Sequence, residues 1–399
     1  MDGSADLQIK LPAANGRMEM YRLHGPRQFV TATSPAQLTR VAYSAGHVVA
    51  DPLAAINPTL DCAVDWDATI AYRQYLWRMG LGVAEAMDTA QRGMGMDWPQ
   101  SLELIRRSTD AAKDIPGALL ASGCGTDQLA PEDAHSIDDV IRAYEEQMAA
   151  IEAVGGRLIL MASRALAKVA RGPADYEKVY DRILRQAKQP VILHWLGDMF
   201  DPALKGYWGS NNVNQAVDTV LGVMAVNTSK VDGIKMSLLD KDIEIAVRRR
   251  LPGGVRMYTG DDFNYAELIA GDEIGDSPNR RHSDALLGIF DAIAPAASAA
   301  LLALAQNDRA KFDAILAPTV PLSRHMFGAP TRFYKTGVVF MAWLNGHQSH
   351  FTMVGGQQNT RSLSHFVELF RLADAAGLLL KPELAVARMK TLLALHGVF

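Results

Sequence analysis

From about residue 39 onward the sequence alternates short apolar runs with longer amphipathic stretches, and this alternation constrains the fold more than any single motif. A parallel sheet is buried on both faces, so its strands read as continuous apolar runs and each needs a covering helix before the next. Candidate strands lie at Arg40–His47, Gly82–Met87, Gly117–Ser122, Arg157–Met161, Pro190–Trp195, Asp232–Met236, Gly254–Tyr258 and Ala285–Phe290. Those eight strands are the number that closes into a barrel. An open doubly wound sheet gives the same alternation, but no G-x-G-x-x-G follows the first strand. The expected fold class is therefore α/β, a (β/α)8 TIM barrel.

Helix punctuation agrees with that frame. One helix opens at Asp65 and stops at Gly80, another carries Pro99 in its first turn, and a third runs from a Ser136-x-x-Asp139 capping box to Gly155-Gly156. Ahead of the barrel, Gln8–Leu11 and Met18–Leu23 alternate around a turn at Asn15-Gly16, the pattern of a β-hairpin. Beyond Asn307 strand signals fade, and Arg332–Leu344, Thr360–Ala376 and Pro382–Leu395 read as helices. The expected division is an N-terminal hairpin arm over 1–38, the barrel over 39–310 and a C-terminal helical extension over 311–399.

Composition removes several function classes. A net charge of −4 with scattered basic residues gives no electrostatic footprint for nucleic acid. The run Arg248-Arg-Arg250 ends a helical pattern, where cations complement the helix dipole. Cys62 and Cys124 have no metal-ligand spacing and are too few for a disulfide framework. Residues 1–6 lack the basic-then-apolar pattern of a signal peptide, and no apolar run is long enough to span a membrane. A cytoplasmic location is expected, without membrane or nucleic-acid partners.

In a βα barrel the chemistry sits at the C-terminal strand ends. Lys235 lies within the sixth candidate strand and alternates with Ile234 and Met236, so it points inward if they face the helices. A lysine inside a barrel loses hydration, its pKa falls, and the neutral amine becomes a nucleophile for carbonyls. His194 ends the fifth strand, either as a proton shuttle or packed beside Trp195. Glu85, Asp88 and Arg92 follow the second strand, and they either grip a substrate or pair with one another. Thr89 adds a hydroxyl there. Asp261 and Asp262 share the seventh strand's turn, with Asp262 the expected helix cap and Asp261 the substrate contact. Cys124 reads as a small apolar residue in a turn, and His282, His347 and His350 as surface or packing residues.

The order Pro190-Val-Ile-Leu-His-Trp195, Gly233-Ile-Lys235, Thr259-Gly-Asp-Asp262, Gly288 to Pro295, and more weakly Pro330-x-x-x-Tyr-Lys335, resembles the dihydrodipicolinate synthase and N-acetylneuraminate lyase superfamily. The chain is similar to a divergent branch of these class I aldolase barrels. The resemblance implies that Lys235 is the Schiff-base lysine, that no cofactor or metal is needed, and that the chain assembles as a dimer or tetramer. Two departures mark it. Asp88-Thr-Ala-Gln-Arg-Gly93 stands where the family has a G-T-T-G-E type motif, and His194 stands where it has a tyrosine. Nor does the arginine that follows that tyrosine have a match in Leu196–Phe200.

The expected function is a Schiff-base lyase or aldolase acting on a small-molecule keto acid or keto sugar, not dihydrodipicolinate synthase itself. The alternatives are a metal-dependent sugar isomerase or epimerase using Glu85, Asp88, His194 and Asp261 as ligands, and a non-catalytic ligand-binding barrel.

Overall fold

Each apolar run of the barrel region forms a parallel strand. The computed structural model describes residues 7–13, 15–272 and 281–399, so Met1–Asp6 lie outside the described residues. After the antiparallel pair β1 (Gln8–Pro12) and β2 (Met18–Arg22) come β3 (Ala42–Ala45), β4 (Gly82–Glu85), β5 (Leu120–Cys124), β6 (Leu158–Leu160), β7 (Val191–Leu196), β8 (Val231–Ser237), β9 (Arg256–Thr259) and β10 (Asp284–Leu287). Strands β3 to β10 pair with their chain neighbours and β10 returns to β3, which closes a barrel of eight.

The observed strands follow the expected ones with shifted ends, and at two starts a glycine is the reason. The third barrel strand starts at Leu120 rather than Gly117, and the seventh at Arg256 rather than Gly254. Gly117 and Gly254 have φ of +76° and +83°, left-handed conformations that belong to turns and not to an extended ladder. The helices begin as their caps dictate. Asp65 accepts the Ala68 N–H at 3.0 Å, and Ser136 and Asp139 form the reciprocal capping box. Among the described residues no helix is long and apolar enough to cross a membrane.

Tyr43, Ala45, Ala84, Met87, Ala121, Ile159, Ile192, Tyr258 and Leu286 fill the barrel axis, while the larger apolar clusters lie between strands and helices. Near the N-terminal mouth the Tyr43 and Tyr258 rings meet edge to face at 6.1 Å, beside the ion pairs Arg157–Asp232 and Arg256–Asp284, each 2.9 Å. That end is plugged, so access is left to the C-terminal face. The C-terminal helices cover Tyr334–Leu344, Leu363–Ala375 and Pro382–Leu395, and every residue of the first is buried. A helix buried all round is a core element. The hairpin docks on these helices: Asp374 accepts Tyr21 Oη–H at 2.7 Å and the His24 N–H at 2.9 Å.

Arg248 does more than complement a helix dipole. It turns inward, pairs with Asp272 at 3.1 Å and donates to Ser283 Oγ at 3.2 Å. Glu244, one turn earlier, is buried, and burial pushes its carboxyl from 4.5 up to about 8 against the opposing hydrogen bonds from Ser283 and Thr259. Its folded pKa lies above the unfolded one, so its contribution is fully present below the unfolded value and is lost as pH rises through the folded value. Wild-type stability is therefore expected to fall relative to Glu244→Gln between pH 4.5 and about 8, which urea unfolding across that range would measure. Parallel pH profiles would contradict it.

Candidate active site

Ile234 and Met236 of β8 pack into the outer cluster, so the alternation turns Lys235 toward the barrel axis. It is only 5% exposed. Among the described residues its ammonium group has neither a hydrogen bond nor an ion pair. Burial lowers its pKa, and the more distant charges of Asp88 and Asp262 oppose that shift.

Its register partner on β7 is His194, and on β9 Tyr258. The His194 ring is buried, with Nε2 3.4 Å from Ser237 Oγ and Nδ1 without a partner among the described residues. Burial, reinforced by the neighbouring Lys235 charge, holds its pKa well below 6.5, so the imidazole is neutral at neutral pH.

Of the two aspartates, Asp261 and not Asp262 holds the turn. Asp261 accepts the N–H groups of Phe263 and Asn264 at 2.9 and 3.0 Å and the Asn264 side-chain amide at 2.9 Å, so it holds its own turn. Asp262 accepts the Ile289 N–H at 2.8 Å and is buried. Burial pushes its carboxyl up to about 8, opposed by that hydrogen bond and by Lys235.

The loop after β4 divides the remaining candidates. Asp88 and Thr89 meet at Tyr334, the first residue of the buried C-terminal helix. The phenol donates to Asp88 Oδ2 at 2.9 Å, so the 2.5 Å contact with Thr89 is a bond donated by the Thr89 hydroxyl. Burial first, then Asp88, raises the Tyr334 pKa well above 10 and keeps it a donor.

Glu85 was expected beside the substrate, yet its parity on β4 is opposite to that of Ala84 on the axis. It faces the helices and is locked by two 2.9 Å bonds from Arg73 and a 2.5 Å bond from Ser108. Arg92 does reach the cavity wall, but its N–H donors are engaged by Asp127, Gln147, Gly123 O and Ala86 O. That accounts for all five donors of a guanidinium and leaves none to clamp a substrate carboxylate.

A cavity of about 660 Å³ opens over the loops that follow β4 to β7, with Asp88, Arg92, Trp98, His194, Phe200 and Lys335 on its wall. Lys235 is not part of this wall and adjoins it through His194. Of the tryptophans, Trp98 is the one on the wall, with the Arg92 guanidinium 5.1 Å from its ring centroid. Cys124 is enclosed, and burial pushes its thiol up to about 12, so it stays protonated and unreactive. His347 packs against Tyr72 and Tyr75, with ring centroids 5.0 and 4.5 Å away. Sequence reasoning gave no role to Tyr334, Lys335 or Ser237. The Pro330-x-x-x-Tyr-Lys335 segment marked the helix start, but nothing in local spacing says that it returns to the barrel mouth.

The fold is similar to that of solved dihydrodipicolinate synthase structures. The enzyme of Aquifex aeolicus matches with a TM-score of 0.62 at 12% identity, over 86% of this chain and 99% of its own. Dihydrodipicolinate synthase from Bacillus anthracis gives 0.60 at 14%, over 84% and 97%, and 4-hydroxy-tetrahydrodipicolinate synthase from Methylacidiphilum fumariolicum 0.59 at 14%, over 88% and 99%. At such identities the likeness is one of fold, and it is the fold the sequence resemblance implied. By sequence, the chain belongs to the family described as "Protein of unknown function (DUF993)", which it matches over residues 9–398. No curated protein matches it.

Proposed function

We propose that this protein is a Schiff-base-forming lyase or aldolase acting on a keto acid or keto sugar, and not dihydrodipicolinate synthase itself. The observation that carries the reading is Lys235, an amine without a hydrogen-bond or ion-pair partner among the described residues, buried on the barrel axis at a C-terminal strand end beside a neutral histidine. Burial favours its neutral, nucleophilic form.

The Lys235 amine attacks the carbonyl carbon, and its proton passes to the carbonyl oxygen to give a carbinolamine. Asp262, held protonated by burial, gives its proton to the departing hydroxyl; water leaves, and the iminium cation faces the new Asp262 carboxylate. The iminium then accepts the electron pair of the breaking carbon–carbon or α-carbon–hydrogen bond and becomes an enamine. His194 hydrogen-bonds the oxygen and relays protons at these steps. Tyr334 and Thr89 supply the hydroxyl pair near the site.

Of the four side chains a metal-dependent isomerase would need, Glu85 is held by Arg73 and Asp261 by its own turn, so the set does not converge. Borohydride reduction during incubation with a panel of keto acids and keto sugars is the test. A mass increment on the peptide bearing Lys235 is expected with at least one carbonyl compound. An unmodified lysine throughout would point instead to a barrel that binds without this chemistry.

A further inference from the structure

Lys335 is the second residue of the helix Tyr334–Leu344, 1% exposed and on the wall of the cavity. A lysine in that place is opposed three times. Burial strips its hydration, the positive end of a helix repels a cation, and among the described residues no carboxylate forms an ion pair with it. Its nearest polar contact is the Met94 thioether, 3.0 Å from Nζ, and the Tyr334 ring lies at 5.2 Å. Asp88 and Asp201 act on it from farther off, against Arg164 and Arg332. Burial and those cations bring its pKa down to about 8, so near neutral pH the ammonium form still predominates. A helix start with an unmatched buried cation at a cavity wall is a site built for an anion.

We propose that the substrate carries an anionic group, a carboxylate or a phosphate ester, remote from its carbonyl, and that Lys335 binds it. The assignment of the carbonyl end to Lys235 rests on the Schiff-base reading above; the anion site itself does not.

The test has two independent arms. In the first, inorganic phosphate and glutarate are titrated calorimetrically into wild type, Lys235→Ala and Lys335→Met. At least one anion is expected to bind wild type and Lys235→Ala alike and to bind Lys335→Met at least tenfold more weakly. Its affinity should also fall as pH rises through about 8. Methionine keeps the volume and removes a buried charge, so the variant should fold with an unchanged or higher thermal midpoint. In the second arm, borohydride trapping at Lys235 compares 2-oxobutanoate with 2-oxoglutarate and hydroxyacetone with dihydroxyacetone phosphate. The member of at least one pair that carries the additional remote anionic group is expected to trap at lower concentration in wild type, and that advantage should vanish in Lys335→Met. The pair that shows it identifies the anion as carboxylate or phosphate. Equal anion affinity in wild type and Lys335→Met, or no anion binding in either, overturns the proposal whatever Lys235 does. Anion binding that depends on Lys335 without any adduct at Lys235 upholds the anion site and sinks the Schiff-base reading.

Discussion

Lys235→Ala is expected to abolish any borohydride-stable adduct and to lower kcat/KM on the order of 10⁴-fold or more, the scale set by loss of a covalent nucleophile. The reason lies in what remains. Without the amine no iminium forms, and the electron pair released by bond cleavage has no sink in the pocket. His194, Asp262 and Tyr334 still shape the site, so substrate binding should survive better than turnover. Lys235→Arg is the stringent companion, because it keeps a cation on the barrel axis yet cannot form the imine at any accessible pH. Kinetics on the best-trapped carbonyl compound, with mass spectrometry of the reduced protein, measure both effects. Full turnover in either variant would end the proposal.

Glu85→Ala is expected to cost about 3–5 kcal/mol of stability, because it leaves the Arg73 guanidinium buried without its counter-charge. Both side chains are fully enclosed, and Glu85 also takes bonds from Ser108 Oγ and the Ala86 N–H. Arg73 retains its bond to Thr69 O in its own helix and its bonds to the carbonyls of Gly46 and His47, which pin the end of β3 to the helix Trp66–Arg78 but do not neutralise it. The double variant Arg73→Met with Glu85→Met should recover much of the loss, since it removes both charges and keeps apolar volume. Urea unfolding compares the three. A Glu85→Ala protein of wild-type stability with a raised KM would return Glu85 to the substrate.

The barrel was legible because its signal is repeated: eight buried runs separated by capped helices leave few other arrangements. Lys235 was legible for a related reason, since alternation with two apolar neighbours fixes the direction of a side chain on a strand. The same parity argument, applied at Ala84, turns Glu85 outward. Arg92 needed three dimensions, because Gln147 and Asp127 reach it from 55 and 35 residues away. Asp261 and Asp262 are adjacent and identical in type, so only the path of the turn decides which one caps it. Tyr334 lies 245 residues from the hydroxyl it meets, a separation that no local pattern encodes.

The hold of Asp374 on the N-terminal hairpin bears on synthesis. His24 and Asp374 are 350 residues apart, which at ribosomal speed is roughly 20–70 s of translation. For that interval Ile9 and Leu11, buried in the finished protein, wait without the helices that cover them, and a two-stranded hairpin alone is at best marginally stable in water. The hairpin therefore gains its cover only after the helix that carries Asp374 has been made.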